Sequence, residues 1–164
     1  MSVHQFANYY QGAFVNTQEE PKGELLVQDI MTADVFTLFE EDSLKIAEDI
    51  MDFKNIRHIP VVNCLENIVG LITHRDLLRM SISTLAGISK EATQSLNDPI
   101  KVQDVMNRQV MTVPPKTPLS KAAALMFTNK LGCLPVVHEG ALVGIITEAD
   151  FVRLLAEHSC QVDQ

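Results

Sequence analysis

Two short runs hold the side chains with most chemical content: Thr73-His74-Arg75-Asp76 and Thr147-Glu148-Ala149-Asp150. Each follows a glycine and two apolar residues, Gly70-Leu71-Ile72 and Gly144-Ile145-Ile146. Both therefore read Gly-h-h-Thr-x-x-Asp, with h apolar. An apolar strand that ends at Thr, with an acid three residues on, has the spacing of a helix cap. The same turn also suits a ligand. Its free N–H groups and partial positive charge favour a phosphate or a ribose edge. A carboxylate in the first turn accepts two hydrogen bonds at once, matching the cis 2′- and 3′-hydroxyls of ribose, with the Thr hydroxyl beside them. Residue type and spacing leave both readings open.

The elements that position these runs recur. Val27-Gln28-Asp29-Ile30-Met31 returns as Val102-Gln103-Asp104-Val105-Met106, and Val35 and Thr37 return as Val110 and Thr112. Leu44, Ala47 and Met51 match Leu119, Ala122 and Met126; Ile59-Pro60-Val61-Val62 matches Leu134-Pro135-Val136-Val137. The chain is two copies of one unit, each of roughly 50–55 residues. Each copy reads strand, helix, strand, strand, helix. The first strands are expected over 35–38 and 110–113, short β-branched runs. Asp42 and Thr117 are N-cap types, with Ser43 and Pro118 at the first helical position. Leu44, Ala47 and Met51 form a helical apolar stripe that Ile46, Ile50 and Phe53 would widen. Pro60 and Pro135 open apolar strands where a missing N–H costs little. Glu139-Gly140 suits a tight hairpin, where the first copy has the looser Cys64-Leu65-Glu66-Asn67. The organisation is an arm over 1–24, repeats over 25–80 and 102–156, a linker over 81–101 with a helical turn near 90–96, and a tail over 157–164.

Composition narrows the function classes. The 164 residues carry a formal charge of −8, which argues against a surface built for nucleic-acid backbone and leaves room for a small anion. Cys64, Cys133 and Cys160 are scattered and odd in number, as expected for reduced thiols in the cytoplasm. The N-terminus lacks the basic start and apolar run of a signal peptide, and no stretch is long and apolar enough for a membrane span. His58 and His74 have no acid or thiol at ligand spacing to complete a metal site. There is no P-loop and no Gly-x-Ser-x-Gly, so an enzyme is not expected. Met31, Met51, Met106 and Met126 read as core filler.

The ordered set of motifs resembles the CBS domain, named after cystathionine β-synthase, which occurs in tandem pairs called Bateman modules. The resemblance covers residues 25–156 and implies an α+β fold of two pseudo-symmetric β-α-β-β-α repeats packed face to face through their sheets. It also implies two related clefts that take adenosyl ligands: AMP, ADP or ATP, in some modules S-adenosylmethionine or NAD. Carried over residue by residue, the first site would set Asp76 and Thr73 at the ribose, with Arg75 at the rim. Its adenine would lie against 107–110, ending at Val110, and against Leu131, Gly132 and Cys133. Arg57 and His58 would reach the phosphates, with Arg108 as a helper. In the second, weaker site Asp150 and Thr147 would take the ribose, with Thr32, Ala33, Asp34, Val35 and Ile56 lining the base beside Arg57 and His58. Its phosphate positions, Gly132 and Cys133, carry no charge. The resemblance further implies a homodimer formed through helices bearing Leu77, Leu78, Phe151, Leu154 and Leu155, and a regulated protein acted on in trans. The other class of function is an interaction module whose clefts stay empty.

Overall fold

The structure is a computed structural model that describes residues 23–85 and 100–159. Residues 1–22 of the arm, and the helical turn expected near 90–96, lie outside the described residues. A one-turn helix, α1 (Val27–Ile30), precedes the first copy: β1 (Leu38–Phe39), α2 (Leu44–Lys54), β2 (His58–Val62), β3 (Ile68–Thr73) and α3 (His74–Leu85). A 3-10 turn (Val102–Asp104) opens the second copy, which continues as α4 (Leu119–Asn129), β4 (Cys133–His138), β5 (Ala141–Thr147) and α5 (Glu148–Ser159). β1 runs parallel to β2, and β2 antiparallel to β3; β4 and β5 form the matching antiparallel pair. The two hairpins share register, with His58 opposite Thr73 and Cys133 opposite Thr147. The expected α+β repeat is present twice.

Two local expectations shift. The first strand of the second copy shrinks to one parallel bridge, Val113 to Val136. Pro114 and Pro115 follow at once and cannot donate to a ladder. In the first copy the strand starts only at Leu38. The N-caps are Ser43 and Pro118, one residue later than expected. Asp42 caps the preceding turn instead, its carboxylate accepting from the Phe39 N–H at 2.8 Å. Both helices end alike, with Asn55 and Lys130 left-handed at φ 52° and 54°, so the last N–H groups turn back onto carbonyls of the final turn. Glu139 and Gly140 both have positive φ, as a two-residue hairpin between twisted strands requires.

The cores follow the apolar stripes, with one exchange. Leu38, Ala47, Met51, Ile59, Val61 and Ile72 form the first core, and Leu119, Ala122, Met126, Leu134, Val136 and Ile146 the second. Ile46 and Phe53 face outward instead of widening the stripe; Phe53 is 83% exposed. Yet Val27 from the start of the first copy is buried in the second core, while Val102 and Met106 are buried in the first. Backbone bonds fix this crossing. The Val27 N–H donates to the Thr117 carbonyl, and Thr32 exchanges a pair of bonds with Ile145. In mirror fashion the Val102 N–H donates to the Asp42 carbonyl, and Asn107 exchanges a pair with Leu71. The glycines of the two motifs permit the approach. A Cβ on Gly70 would overlap Met106, and one on Gly144 would lie 2.6 Å from the Met31 sulfur and 3.1 Å from the Thr32 carbonyl. Each head segment is thus clamped against the other copy's last strand, which ties the repeats together and carries residues 32–36 to the mouth of the Asp150 cleft.

Candidate functional site

Both Thr-x-x-Asp turns are closed caps. The Thr73 N–H and hydroxyl donate to Asp76 Oδ2 at 2.9 and 2.6 Å, and the Asp76 N–H donates to the Thr73 hydroxyl at 3.3 Å. The Thr147 N–H and hydroxyl donate to Asp150 Oδ2 at 2.8 and 2.9 Å. The next N–H of each helix is also engaged: His74 donates to the Arg57 carbonyl and Glu148 to the Gly132 carbonyl. The cap and ligand readings therefore divide one carboxylate between them. Oδ2 holds the turn, and Oδ1 is the oxygen that can face a diol.

The two Oδ1 atoms have different surroundings. Asp150 is 5% exposed, and its Oδ1 accepts from Arg153 at 2.9 Å, while the same guanidinium nitrogen donates to the Ile30 carbonyl at 3.0 Å. Arg153 thereby links the acid to the exchanged head. Asp76 is half-buried, and its nearest cation, Arg79, stands 3.9 Å away, too long for a hydrogen bond. A buried carboxylate is stable as an anion only when paired, and Arg153 supplies that pairing for Asp150.

A cavity of about 550 Å³ opens beside Asp150, within the range of small-molecule sites. One wall is the end of β5 and the start of α5, namely Ile145, Thr147, Glu148, Ala149 and Asp150. The head contributes Thr32, Asp34, Val35 and Phe36, and the first copy contributes Asn55, Ile56, Arg57 and His58. With Gly132, four separate chain segments thus meet at one site. At its rim the Lys54 ammonium sits 4.7 Å from the Phe36 ring centre and 5.1 Å from that of Phe53, holding the aromatic edge in place.

His58 lines the cavity from the first copy. It lies opposite Thr73 in the β2–β3 register and presses on Gly132, where an added Cβ would come within 2.8 Å of Nε2. Burial lowers the His58 pKa from its usual 6.5; Glu148 and Asp76 oppose that shift, and Arg57 and Arg75 add to it. The ring is therefore neutral at neutral pH and can donate or accept one hydrogen bond without acting as a cation. Its counterpart Cys133 is buried, and burial with the nearby Glu148 charge pushes the thiol up to about 12. Such a thiol is inert.

The expected second-site residues come together: Thr147, Asp150, Asp34, Val35 and Ile56 all line the cavity, while Ala33 is exposed outside its lining. Of the first-site residues, Arg57, His58 and Gly132 line this same cavity. Thr73, Arg75, Asp76, Val110, Leu131 and Cys133 lie outside its lining. Arg108 is committed to Glu40 at 2.7 Å. Sequence reasoning assigned no role to Phe36, Asn55, Glu148 or Arg153. A signal for Arg153 exists in hindsight, because Arg79 and Arg153 both stand three residues after the motif Asp, one helical turn on. Among the described residues no group of three or more His, Cys, Asp or Glu is placed to hold a metal ion, and no helix is long and apolar enough to cross a membrane.

Comparison with known proteins supplies the family. The CBS domain matches residues 27–83 and 102–157. A putative acetoin utilization protein (AcuB) from Vibrio cholerae is 32% identical, with a TM-score of 0.75 over 87% of this chain and 99% of that one. CBSX2, a CBS-pair protein from Arabidopsis thaliana, was solved in complex with AMP; it is 28% identical, with a TM-score of 0.69 over 82% of this chain and 98% of that one. The CBS domain pair of protein MJ0100, solved with 5′-methylthioadenosine and S-adenosyl-L-methionine, is also 28% identical, with a TM-score of 0.69 over 83% and 99%. Among sequence relatives, the uncharacterized protein MJ1225 of Methanocaldococcus jannaschii is 33% identical over 129 residues, 79% of this chain and 42% of that protein. A homoserine O-acetyltransferase of Methanohalophilus mahii is 32% identical over 126 residues, 76% of this chain and 23% of that protein. The chain thus spans less than half the length of these two relatives. With both repeats matched in full and the fold shared, the chain belongs to the CBS-domain family, as a tandem CBS pair.

Proposed function

We propose that this chain is a regulatory module, without catalysis of its own, that binds adenine nucleotides of the AMP, ADP and ATP class between its repeats. The observation that carries most weight is the cavity beside Asp150. It gathers the acid, the Thr and the apolar base-side residues that the resemblance to CBS pairs assigns to one ribose-and-base site. The solved complex of CBSX2 with AMP supports the same ligand class. In the Asp150 cleft, Asp150 Oδ1 would take the ribose diol, with Val35, Ile56 and Phe36 against the base. In the Asp76 cleft, Asp76 and Thr73 would serve the ribose, Val110 and Leu131 to Cys133 the base, and Arg57, His58 and Arg75 the phosphate. His58 would act there as a hydrogen-bond partner and Arg57 and Arg75 as the charges.

The output on this reading is a change of shape or pairing felt by a partner protein in trans, in the cytoplasm. Leu77, Phe151 and Leu154 pack internally, in or against the cores, leaving Leu78, Val152 and Leu155 exposed on α3 and α5 at 51%, 66% and 69%. Those three support a homodimer through these helices. One observation favours the alternative of an interaction module with empty clefts: both Asp150 oxygens already have partners inside the chain. The S-adenosyl-L-methionine bound to MJ0100 makes that ligand a further candidate.

Calorimetric titration of the purified chain with AMP, ADP and ATP, alongside native mass spectrometry, tests the proposal. Saturable binding to a dimer is expected. A monomer that takes up no adenine nucleotide would leave the interaction-module reading in its place.

A further inference from the structure

The two clefts differ in charge where a ligand's 5′ group would lie. The start of the second strand and the start of the following helix supply four equivalent positions in each repeat. In the first copy these are Arg57, His58, His74 and Arg75; in the second they are Gly132, Cys133, Glu148 and Ala149. Two arginines in one copy thus face a single carboxylate in the other. Backbone groups do not create the difference, because at both helix starts the cap N–H and the first helical N–H are donated alike, to the motif Asp and to the Arg57 or Gly132 carbonyl. Side-chain charge is left to decide the preference at each 5′ end.

We propose that the Asp150 cleft selects adenosyl ligands whose 5′ group is neutral or cationic, and that Glu148 sets this preference. The inference rests on the adenosyl-binding reading and names the ligand class of one of its two sites. Glu148 lines the cavity two residues before Asp150, in the same first helical turn as the acid proposed for the ribose. Its charge reaches both strand starts, His58 and Cys133. Asp34 adds a second acid to the lining, against Arg57 as the one charged cation there. Asp150 itself is neutralised by Arg153. A 5′-phosphate would enter beside Glu148 and Asp34, with Arg57 as the one cation in the lining to meet it. An ammonium or sulfonium would gain a counter-ion. Glu148 is exposed, so water screens the interaction and holds the discrimination to about tenfold.

The test uses three probes that differ at the 5′ carbon: 5′-amino-5′-deoxyadenosine, adenosine and AMP. They are titrated by calorimetry into the wild-type chain, resolved as two sites, and into Asp76→Asn, which keeps a cap acceptor while weakening the other cleft. In Asp76→Asn the amino compound should bind about tenfold tighter than AMP, with adenosine between them. Glu148→Gln should shrink that ratio by about three- to tenfold, and Glu148→Lys should reverse the order. AMP binding at least as tightly as the amino compound in Asp76→Asn, or an unchanged ratio in Glu148→Gln, would overturn the proposal and leave adenosyl binding standing. If none of the three binds even the wild-type chain, adenosyl binding fails and this preference falls with it.

Discussion

The two Thr-x-x-Asp motifs are equal in sequence and unequal in structure. Asp150 is buried, doubly held by Thr147, and paired through Arg153 to the carbonyl of Ile30 on the head that crosses from the other end of the chain. Asp76 has the same cap but only a distant, exposed Arg79. The Asp150 cleft is lined by four segments and forms a cavity, while the strand and helix starts of the Asp76 copy carry the cations Arg57 and Arg75. One turn geometry thus serves as a frame, and what surrounds it differentiates the two sites: one is shaped and acid-lined, the other cationic and more open at its acid. A repeat preserves backbone geometry more readily than charge, because the turn needs particular residues at Gly, Thr and Asp while the x positions are unconstrained by it.

Single substitutions at the two acids break the comparison most strongly. Asp150→Ala and Asp76→Ala should each weaken adenosyl-ligand binding at their own cleft by roughly a hundredfold and leave the other largely intact, measured by two-site titration with adenosine and AMP. Their stability costs should differ. Asp150→Ala removes the buried acceptor of the Thr147 cap and the partner of a half-exposed Arg153, about 1–3 kcal/mol, whereas Asp76→Ala loses a less buried cap, about 0.5–1 kcal/mol. If both variants melt lower yet bind nucleotide as the wild type does, the motif is a helix cap and nothing more.

The arginines sharpen the same contrast at smaller magnitude. Arg153→Gln removes a charge-assisted bond from a carboxylate that is 6% exposed and frees the Ile30 carbonyl, so it should cost about 1–2 kcal/mol in urea unfolding. Arg79→Gln acts on a pair 3.9 Å apart with the arginine 73% exposed, and should cost less than about 0.5 kcal/mol. Equal costs would mean that the Arg153 latch holds nothing that Arg79 does not.

The smallest effect is the pH dependence carried by His58. Burial lowers its pKa from 6.5 in the folded chain, so below that value the unfolded chain binds the proton more readily. Its contribution to stability is fully present above pH 6.5 and is lost as pH falls through 6.5 toward the folded value. Melting curves of wild type and His58→Gln between pH 7.5 and about pH 5 should converge as pH falls, the variant lacking this slope. A parallel offset across that range would show that the ring remains hydrated and ordinary.

Much was legible in the residues alone. The repeat, the apolar stripes at Ala47, Met51, Ala122 and Met126, the paired Pro-Val-Val strands and the Glu139-Gly140 turn all depend on local periodicity and backbone preference, which the chain carries with it. Thr147, Asp150, Asp34, Val35 and Ile56 line one cavity, and it was the family resemblance, not any local periodicity, that named them together. Sequence could not decide which head packs on which copy. Val27 and Val102 are equally apolar and occupy equivalent places, so either core would accept either one; only the closed tertiary arrangement puts Val27 in the second core and Val102 in the first. That exchange brings Ile30 within reach of Arg153 and carries Asp34 and Phe36 into the cleft. Contacts between residues more than a hundred positions apart leave no periodicity to read, because their cost and reward are settled by the folded chain as a whole and not by any local segment.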